Sequence, residues 1–496
     1  MKMTPVVAAL AVAVSFIPAA TSLQAQDRPN IIFIMADDLG WFDVGFNGAP
    51  FYETPHIDQL AAEGMIFDRS YTGGANCAPT RACLMSGMYT PRHHIYQPGG
   101  KAKGGTEDFT RMRWLVPNVM NKNGNGLLPS GESLKATVIS LAEVLKPCGY
   151  ETAMLGKWHL NPKEKQGFDL FSCDGQDFSK YRRHYGSIHV AETLTDCAVK
   201  FIEDNRAGPF FLYLSHWDVH KAFKARKEVV AKYDKKLQSR EWERDWNTTY
   251  AAMIEAFDTS VGRVRAELKR LGLEKNTLVI VTSDNGVVSD VHSGPLKGTK
   301  GSFFEGGVRV ATAICWPGVI KAGSRCNTPT TSVDYMPTFA ELAGGELPST
   351  QPVDGRSLVP LLKGEDALAD RSIFWHYPLY LPSTKPVIPI YGTGKLYWRA
   401  VPSSMVVKGN WKLIHFYEDD TIQLYNLKED VSETSNLAES QPEKAAALLE
   451  ELKNWVNETD APIPKTLNTH FDTSGEMLNK GEKRELKKNK SKKRNG

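Results

Sequence analysis

The chain contains four runs of apolar residues that are each long enough for one strand and that each end in polar side chains. They are residues 30–38 (NIIFIMADD), 152–159 (TAMLGKWH), 209–220 (PFFLYLSHWDVH) and 277–286 (TLVIVTSDNG). Unbroken apolar strands are typical of parallel sheets that are covered on both faces. Such sheets bind ligands beyond the carboxyl ends of their strands. We therefore expect the four polar clusters to meet at one edge of a sheet.

Helical patterns separate these strands. Residues 54–64 (TPHIDQLAAEG) begin with Thr54 and Pro55, which favour a helix start, and end at Gly64, which favours a stop. Similar patterns cover residues 133–149 and 247–272. Strands that alternate with helices predict an α/β fold, here a mostly parallel central sheet between layers of helices.

The pattern changes after about residue 365. Short antiparallel strands are predicted at residues 404–417 (SMVVKGNWKLIHFY) and 421–427 (TIQLYNL), and a helix at residues 441–458. The expected organisation therefore has four parts. These are a signal peptide at residues 1–25, a catalytic domain at 26–365, a smaller C-terminal α+β subdomain at 366–478 and a basic, disordered tail at 479–496.

The first residues are typical of a secretory signal peptide. One lysine precedes an apolar run from Val6 to Ile17, and small residues lead to a cleavage site after Ala25. The run is too short to span a bilayer, and no later segment is long and apolar enough to do so. We expect an exported protein, periplasmic or secreted, without a membrane span.

Composition and charge refine this picture only slightly. The chain of 496 residues is 41% apolar and 24% charged, which is an ordinary globular mixture. Its net charge of +3 comes from residues 480–496, which hold nine Lys and Arg against two Glu. A basic run with so few apolar residues indicates a solvated end, so no nucleic-acid partner is expected. Seven cysteines leave at least one unpaired, and the others either pair after export or are buried thiols.

Two pairs of oxygen ligands follow two of the predicted strands. Asp37 and Asp38 end the first run, and Asp284 and Asn285 end the last. Hard oxygen donors without thiolate or imidazole neighbours suit Ca²⁺ or Mg²⁺ better than Zn²⁺. The alternative is that these residues only begin turns. Two pairs at equivalent positions favour the metal, and Ca²⁺ is preferred over Mg²⁺.

Cys77 lies in the segment GANCAPTRACLMSG, residues 74–87. A lone cysteine is more often a small buried side chain than a reactive one. Here Pro79 predicts the first turn of a helix, so Cys77 lies beside a helix N-terminus that favours an anion. Arg81 on that turn offers a fork for an oxyanion. Four further cationic or proton-carrying candidates lie at strand ends or in a glycine-rich turn, and these are Lys157, His159, His220 and Lys300. Together they predict a site for a tetrahedral anion ester.

The segment CAPTRACLMSG resembles the C-x-P-x-R signature of the type I formylglycine sulfatases, which are members of the alkaline phosphatase superfamily. The segments RPNIIFIMADDLGW, GYETAMLGKWHL, VTSDNG, LKGTKGSFFEGGVRV and GNWKLI match the same family in the same order. The resemblance covers roughly residues 29–440. It implies an alkaline-phosphatase-like fold and a sulfuric ester hydrolase.

The resemblance also implies roles for single residues. A maturation enzyme would oxidise Cys77 to formylglycine (3-oxoalanine), and its hydrate would attack sulfur in a covalent mechanism of two steps. Arg81 would hold the hydrate, Lys157 and Lys300 would stabilise the sulfuryl oxygens, and His220 with Lys300 would help the alcohol leave. His159 would take the proton that eliminates sulfate. Calcium would bind the converted residue 77 together with the four oxygen ligands, Asp37, Asp38, Asp284 and Asn285.

The expected substrate is a sulfated polysaccharide or its oligosaccharides, as for a bacterial polysaccharide sulfatase. Arginine forks grip sulfate and aromatic rings stack on sugars, so residues of that kind outside the shared motifs are candidates. The substrate candidates are Arg92, His93, His94 and His376, with further ones in residues 97–133 (Arg111, Arg113, Trp114) and 179–186.

Other activities stay open at this point. The protein could be an arylsulfatase of small esters, or a phosphodiester or phosphonate monoester hydrolase of the same superfamily. A third alternative is an inactive glycan-binding protein that kept the fold. The intact set from Cys77 to Lys300 argues against this last alternative.

Overall fold

A computed structural model describes most of the chain. The described residues are 28–98, 112–115, 133–160, 166–171, 188–288, 293–368, 370–382, 388–389, 396–469 and 471. The expected signal peptide, the basic tail, Arg111 and the candidate segment 179–186 lie outside them.

Among the described residues the strands form an eight-stranded sheet, a four-stranded and a three-stranded antiparallel sheet, and two two-stranded pairings. In chain order they are β1 (Asn30–Ala36), β2 (Met65–Phe67), β3 (Ser70–Tyr71), β4 (Trp114–Leu115), β5 (Glu151–Gly156), β6 (Leu170–Phe171), β7 (Phe210–Ser215), β8 (Thr277–Ser283), β9 (Ala313–Cys315), β10 (Ser324–Cys326), β11 (Thr330–Thr331), β12 (Ser372–Tyr377), β13 (Leu381–Pro382), β14 (Ile388–Pro389), β15 (Leu396–Ala400), β16 (Ser403–Lys408), β17 (Trp411–Phe416), β18 (Thr421–Asn426) and β19 (Thr466–Leu467).

The large sheet has the order β10-β2-β9-β8-β1-β7-β5-β6. Its strands β8, β1, β7, β5 and β6 are parallel neighbours, and β9 runs antiparallel to both strands beside it. The four apolar runs of the sequence are therefore the adjacent strands β8, β1, β7 and β5. This confirms the mostly parallel sheet, and it brings the four polar clusters to the same edge.

Helices cover both faces of this sheet. They are α1 (Pro55–Glu63), α2 (Cys77–Ser86), α3 (Thr90–His93), α4 (Leu141–Leu145), α5 (Val190–Asp204), α6 (Lys227–Gln238), α7 (Thr248–Leu271), α8 (Glu305–Val308), α9 (Tyr335–Ala343), α10 (Val359–Leu362) and α11 (Pro442–Glu458). Ile32 and Ile34 of β1 pack into one core with α1, α5 and α7. Ile31 and Phe33 pack into a second core with α2, α4 and α9. A strand that is buried on both faces carries no polar alternation, and this explains its unbroken apolar run.

The expected helices are only partly confirmed. The pattern at residues 54–64 forms α1, and the pattern at 247–272 forms α7 between the cap residues Asn247 and Gly272. The pattern at 133–149 yields only α4 and a following 3-10 turn. The Ser140 hydroxyl accepts the Glu143 N–H at 3.2 Å, and the Glu143 carboxylate accepts the Ser140 N–H at 2.7 Å. This reciprocal cap begins the helix at Leu141, later than the pattern suggested.

The C-terminal part contains the antiparallel sheet β12-β16-β17-β18, against which α11 packs. Its core is shared with Tyr71 and Phe304 from the first part of the chain. The antiparallel character is confirmed, while the division at residue 365 stays a prediction. Within the described residues, no helix is both long and apolar enough to cross a membrane.

The described cysteines include five buried free thiols, which are Cys77, Cys83, Cys148, Cys315 and Cys326. Cys197 forms a disulfide bond. Of the two alternatives that the sequence left open, burial as thiols therefore accounts for four cysteines besides Cys77.

Candidate active site

The two acidic pairs meet at the carboxyl end of the sheet. Asp37 and Asp38 directly follow β1, and Asp284 and Asn285 follow β8; all four side chains are fully buried. The Asp38 N–H donates to Asp284 Oδ1 at 3.2 Å, and Asn285 Nδ2 donates to Asp38 Oδ1 at 2.6 Å. Asp38 has a φ of 70°, a left-handed backbone conformation in which non-glycine residues are uncommon. The turn after β1 is thus shaped to direct its carboxylates inward.

Three oxygen atoms of this cluster are available to a cation. Asp37 Oδ1, Asp38 Oδ2 and Asn285 Oδ1 are buried and have no hydrogen-bond partner among the described residues. Ligand atoms of Asp37, Cys77 and Asp284 all lie within 4.8 Å of one another. Unpaired buried oxygens are costly unless they bind something, so a buried cluster that holds three of them fits a hard divalent cation. The donor set therefore suits Ca²⁺ or Mg²⁺.

Two ammonium groups border the acidic cluster. Lys157 Nζ lies 2.5 Å from Asp37 Oδ2, and Lys300 Nζ lies 2.5 Å from Asp38 Oδ1. Burial opposes ionisation of Asp38, but Lys300 and His220 bring the pKa of this carboxyl below its usual value. Burial likewise opposes ionisation of Asp284, and the cations around it, Arg81 first, hold its pKa well below the usual range. Burial outweighs Lys157 at Asp37, so the pKa of that carboxyl is raised.

Cys77 is the first residue of α2 and is 1% exposed. Asn76 before it is extended, and Gly87 in the left-handed conformation ends the helix. The helix therefore begins where the sequence placed it, with Cys77 in its first turn beside free N–H groups. Cys77 Sγ lies 3.9 Å from Lys300 Nζ. The nucleophile candidate thus faces both the acidic cluster and an ammonium group.

Arg81 extends from the same helix into the interior and is fully buried. Its Nε and Nη2 donate to Asp284 Oδ2 at 3.0 and 2.7 Å. Its Nη1 donates to the carbonyl oxygen of Lys157 at 2.7 Å and to the Tyr213 hydroxyl at 3.0 Å. Nη1 also contacts Ser215 Oγ. Arg81 thus links α2 to the ends of β5, β7 and β8.

The two histidine candidates lie at the ends of β5 and β7. Burial, followed by the charges of Lys157 and Arg81, lowers the pKa of His159 to about 3, so its imidazole is neutral at ordinary pH. His159 also has a left-handed backbone, with a φ of 60°. His220 Nε2 lies 3.6 Å from Asp38 Oδ2, and its Nδ1 lies 2.5 Å from the Lys221 carbonyl oxygen. The structure thus brings His220 to the acidic cluster, and a neutral His159 follows Lys157 by two residues along the chain.

The predicted substrate residues fall into a different environment. Arg92 forms an ion pair with Asp354 through its Nε, at 2.8 and 2.9 Å from the two carboxylate oxygens. His93 is buried, with Nε2 3.4 Å from Cys83 Sγ, and its Nδ1 accepts the N–H of Ile95 at 3.1 Å. These contacts give Arg92 and His93 partners within the protein, and their contact with substrate stays a prediction.

His376 also packs in the interior. Its Nδ1 lies 2.7 Å from Ser404 Oγ, and its Nε2 lies 3.0 Å from the Pro462 carbonyl oxygen. Both ring nitrogens are therefore occupied by the C-terminal part of the chain. His94 differs, since it is half-buried and its Nδ1 has no hydrogen-bond partner among the described residues. His94 is thus the histidine of this group that retains a nitrogen for a ligand.

Arg113 and Trp114 lie beside the C-terminal part. The Arg113 guanidinium is 5.8 Å from the Trp114 ring centroid, and Trp114 Nε1 donates to the Glu418 carbonyl oxygen at 3.2 Å. The Trp114 N–H donates to the Tyr380 hydroxyl at 3.2 Å. These contacts anchor Trp114 and leave its part in substrate binding a prediction.

Tyr213 and Ser215 were not identified from the sequence as functional residues. Both lie in β7, within the apolar run, and because they are two residues apart their side chains are on the same face of the sheet. Their hydroxyl groups were the available signal, because a hydroxyl inside a strand that is buried on both faces needs a partner. That partner is Arg81.

Comparison with known proteins agrees with this geometry. The family model described as Sulfatase matches residues 29–345, and the model described as N-sulphoglucosamine sulphohydrolase, C-terminal, matches residues 299–461. A sulfatase of Formosa agariphila is 31% identical over an alignment of 539 positions, which covers 89% of this chain and 91% of the relative. The N-acetylgalactosamine-6-sulfatase of Mus musculus is 31% identical over 393 positions, which cover 71% of this chain and 69% of the relative.

Solved structures show the same fold. The crystal structure of Ps i-CgsB in complex with k-i-k-neocarrahexaose is 26% identical, with a TM-score of 0.67 over 88% of this chain and 95% of that one. The phosphonate monoester hydrolase of Agrobacterium radiobacter is 21% identical, with a TM-score of 0.61 over 87% of this chain and 96% of that one, and shares the fold alone. The family match, the two relatives and the acidic site beside Cys77 lead to one conclusion: this chain belongs to the sulfatase family, the sulfuric ester hydrolases with the alkaline-phosphatase-like fold.

Proposed function

We propose that this sulfatase hydrolyses sulfate esters of polysaccharides or of their oligosaccharides, with Cys77 converted to formylglycine and with a calcium ion in the acidic cluster. The observation that carries the proposal is the buried acidic cluster beside Cys77, in which one oxygen each of Asp37, Asp38 and Asn285 has no hydrogen-bond partner among the described residues. The glycan substrate is supported by the names of two relatives, an N-acetylgalactosamine-6-sulfatase and a protein crystallised with a neocarrahexaose.

Two groups complete the site. The aldehyde of formylglycine supplies, as its hydrate, an oxygen nucleophile towards sulfur, and calcium shares the negative charge of the sulfate oxygens. Asp37, Asp38, Asp284, Asn285 and residue 77 would hold the calcium ion. A maturation enzyme that oxidises Cys77 is therefore an expected partner. Export after removal of residues 1–25 is part of the same proposal.

The residues of the chain divide the remaining work. Lys157 and Lys300 provide fixed positive charge for the sulfuryl oxygens, and a charge that is already in place needs no reorganisation during the reaction. His220 is placed beside Asp38 and passes a proton to the departing alcohol oxygen. His159, neutral because of its lowered pKa, would accept a proton from the side chain of residue 77. Arg81 holds α2 against the acidic cluster and adds positive charge behind residue 77.

The proposal is tested with purified protein that has been coexpressed with a formylglycine-generating enzyme. Sulfate release is measured on a panel of sulfated oligosaccharides that includes neocarrahexaose and N-acetylgalactosamine 6-sulfate, and compared with an aryl sulfate and an aryl phosphodiester. We expect the highest kcat/KM on a sulfated sugar. Faster turnover of the phosphodiester would refute sulfate specificity, and preference for the aryl sulfate over every sugar would refute the glycan substrate.

The same panel tests the remaining histidine candidate. His94→Ala should lower kcat/KM on sugars while it leaves the aryl sulfate unaffected. His189→Ala is the matched control, because His189 is an exposed histidine that pairs with Glu192 on the helix surface. If His94→Ala and His189→Ala behave alike, His94 has no part in sugar binding.

A further inference from the structure

A second cluster of charges lies outside the active site, between the C-terminal sheet and α8. Lys412 in β17 and the glutamates Glu305 and Glu433 have no exposed side-chain surface. Lys412 Nζ is 3.0 Å from Glu305 Oε1 and 2.8 Å from Glu433 Oε1. Removing charges from water costs several kcal/mol per ion, so an apolar cluster of the same size would serve stability equally well. The charged cluster of Lys412, Glu305 and Glu433 is better suited to fixing one geometry than to adding stability.

Glu305 is held by its main chain as well as by its side chain. Its N–H donates to Glu433 Oε2 at 2.7 Å. Its Oε2 accepts the Tyr71 hydroxyl at 3.1 Å and Arg309 Nη1 at 3.3 Å. Glu305 begins α8, so the whole helical turn is fixed in position by the charge cluster.

Helix α8 touches the loop that carries the metal ligands. The Gly286 N–H donates to the Gly307 carbonyl oxygen at 3.0 Å, and Gly286 directly follows Asn285. A Cβ atom at Gly286 would lie 1.9 Å from the Gly306 carbonyl oxygen, which leaves no room for a side chain. Displacement of α8 would therefore displace Asp284 and Asn285.

Helix α8 also closes the turn that carries Lys300. The Gly306 N–H donates to the Lys297 carbonyl oxygen at 2.7 Å, which ties the first residue of that turn to the helix. The Lys300 N–H donates to the Val287 carbonyl oxygen at 2.8 Å, just beyond the metal loop. One short helix thus connects both loops.

We propose that Lys412, Glu305 and Glu433 are positioning residues that set α8, and through it Lys300 and the Asp284–Asn285 pair, in their working arrangement. The C-terminal sheet would then contribute to the reaction through a buried ion cluster, without touching substrate. The inference rests on the proposed function for its kinetic test, while its metal test is independent of turnover.

The informative variant is Glu433→Gln. It removes one charge and keeps both the shape and the oxygen that accepts the Glu305 N–H. Lys412→Met would leave two buried carboxylates without their partner, and loss of folding is the expected result. Glu451→Gln is the matched control, because Glu451 pairs with Lys408 of the same sheet at 3.1 Å but at the surface.

Three quantities are measured on the full-length, matured protein: kcat and KM for sulfate release, calcium affinity by titration calorimetry after chelation, and the free energy of unfolding in urea. A displacement of about 1 Å costs up to about a hundredfold in rate. We therefore expect Glu433→Gln to lower kcat at least about tenfold at nearly constant KM. The calcium Kd should rise severalfold, and Glu451→Gln should change neither quantity.

A Glu433→Gln protein with wild-type kcat and calcium affinity, and only a lower free energy of unfolding, would overturn the inference. A loss of kcat without a change in calcium affinity would also overturn it, because α8 would then not act on the metal loop. A wild-type protein that releases no sulfate would refute the proposed function instead. In that case the calcium titration alone still decides the inference.

Discussion

The buried ion pair between Arg81 and Asp284 joins helix α2, which begins at Cys77, to the acidic cluster that follows β8. The guanidinium makes two contacts to one carboxylate oxygen, at 2.7 and 3.0 Å, and the two side chains are 1% and 0% exposed. The perturbation that tests this pair is a double-mutant cycle of Arg81→Met, Asp284→Asn and the combined variant.

The size of the effect follows from burial. Removing one partner of a buried pair leaves an uncompensated charge and costs about 3–5 kcal/mol. In Arg81→Met, Asp284 retains the hydrogen bond from the Asp38 N–H at 3.2 Å but loses the guanidinium. In Asp284→Asn, Arg81 still donates to the Lys157 carbonyl and to Tyr213, but its charge has lost its counterion. The combined variant removes both charges, so its cost should fall about 3 kcal/mol short of the sum of the single variants.

The assay is urea unfolding of the four proteins at pH 7 in the presence of a chelator, which keeps metal binding out of the comparison. Near-equal m-values would show that the variants unfold a similar amount of surface. Costs of the single variants that add within about 0.5 kcal/mol would refute a direct pair, since independent sites add to that precision.

The remaining predictions concern the nucleophile, the metal and one histidine. Cys77→Ala should abolish sulfate release and keep the circular dichroism spectrum, whereas Cys83→Ala should retain most turnover. Equal losses in both variants would show that Cys77 is not the source of the nucleophile. Calcium at about a hundred times its Kd should stabilise the wild type by about 2.7 kcal/mol and Asp284→Asn far less, and an equal gain would place the cation elsewhere. Burial lowers the pKa of His376 to about 4, so as the pH falls His376 is protonated in the unfolded chain before it is protonated in the folded protein. The contribution of His376 to the free energy of unfolding is complete above about pH 6.5 and should fall by about 3 kcal/mol by pH 4. His376→Gln should therefore reduce the dependence of the free energy of unfolding on pH in this range. An unchanged pH dependence would contradict the burial of His376 as a neutral side chain.

The location of the site at one edge of the sheet could be predicted from the sequence, because a strand that is buried on both faces is an unbroken apolar run and the residues after it mark its carboxyl end. β1 and β8 are unbroken apolar runs, and the polar residues after them form the acidic cluster that the structure brings together. Helix α2 was equally local, since Pro79 and Gly87 mark its first turn and its end. Parallel strands end at the same edge, so no knowledge of long-range packing was needed.

Other features depend on partners that are distant in the sequence. His376 contacts Ser404 and Pro462, which are 28 and 86 residues away, and nothing in the sequence around His376 indicates these partners. Lys412 meets Glu305 across 107 residues, and its motif gave no sign of a buried charge. Residues of this kind are assigned by tertiary packing, which periodicity and spacing do not encode.

The most direct test of the proposed function is the mass of the tryptic peptide that contains residue 77, from protein made together with a formylglycine-generating enzyme. We expect a peptide in which the side chain has lost sulfur and two hydrogens and gained one oxygen, as for an aldehyde in place of the thiol. We also expect this mass to accompany sulfate release in every preparation. An unmodified Cys77 in protein that releases sulfate at full rate would refute formylglycine as the nucleophile.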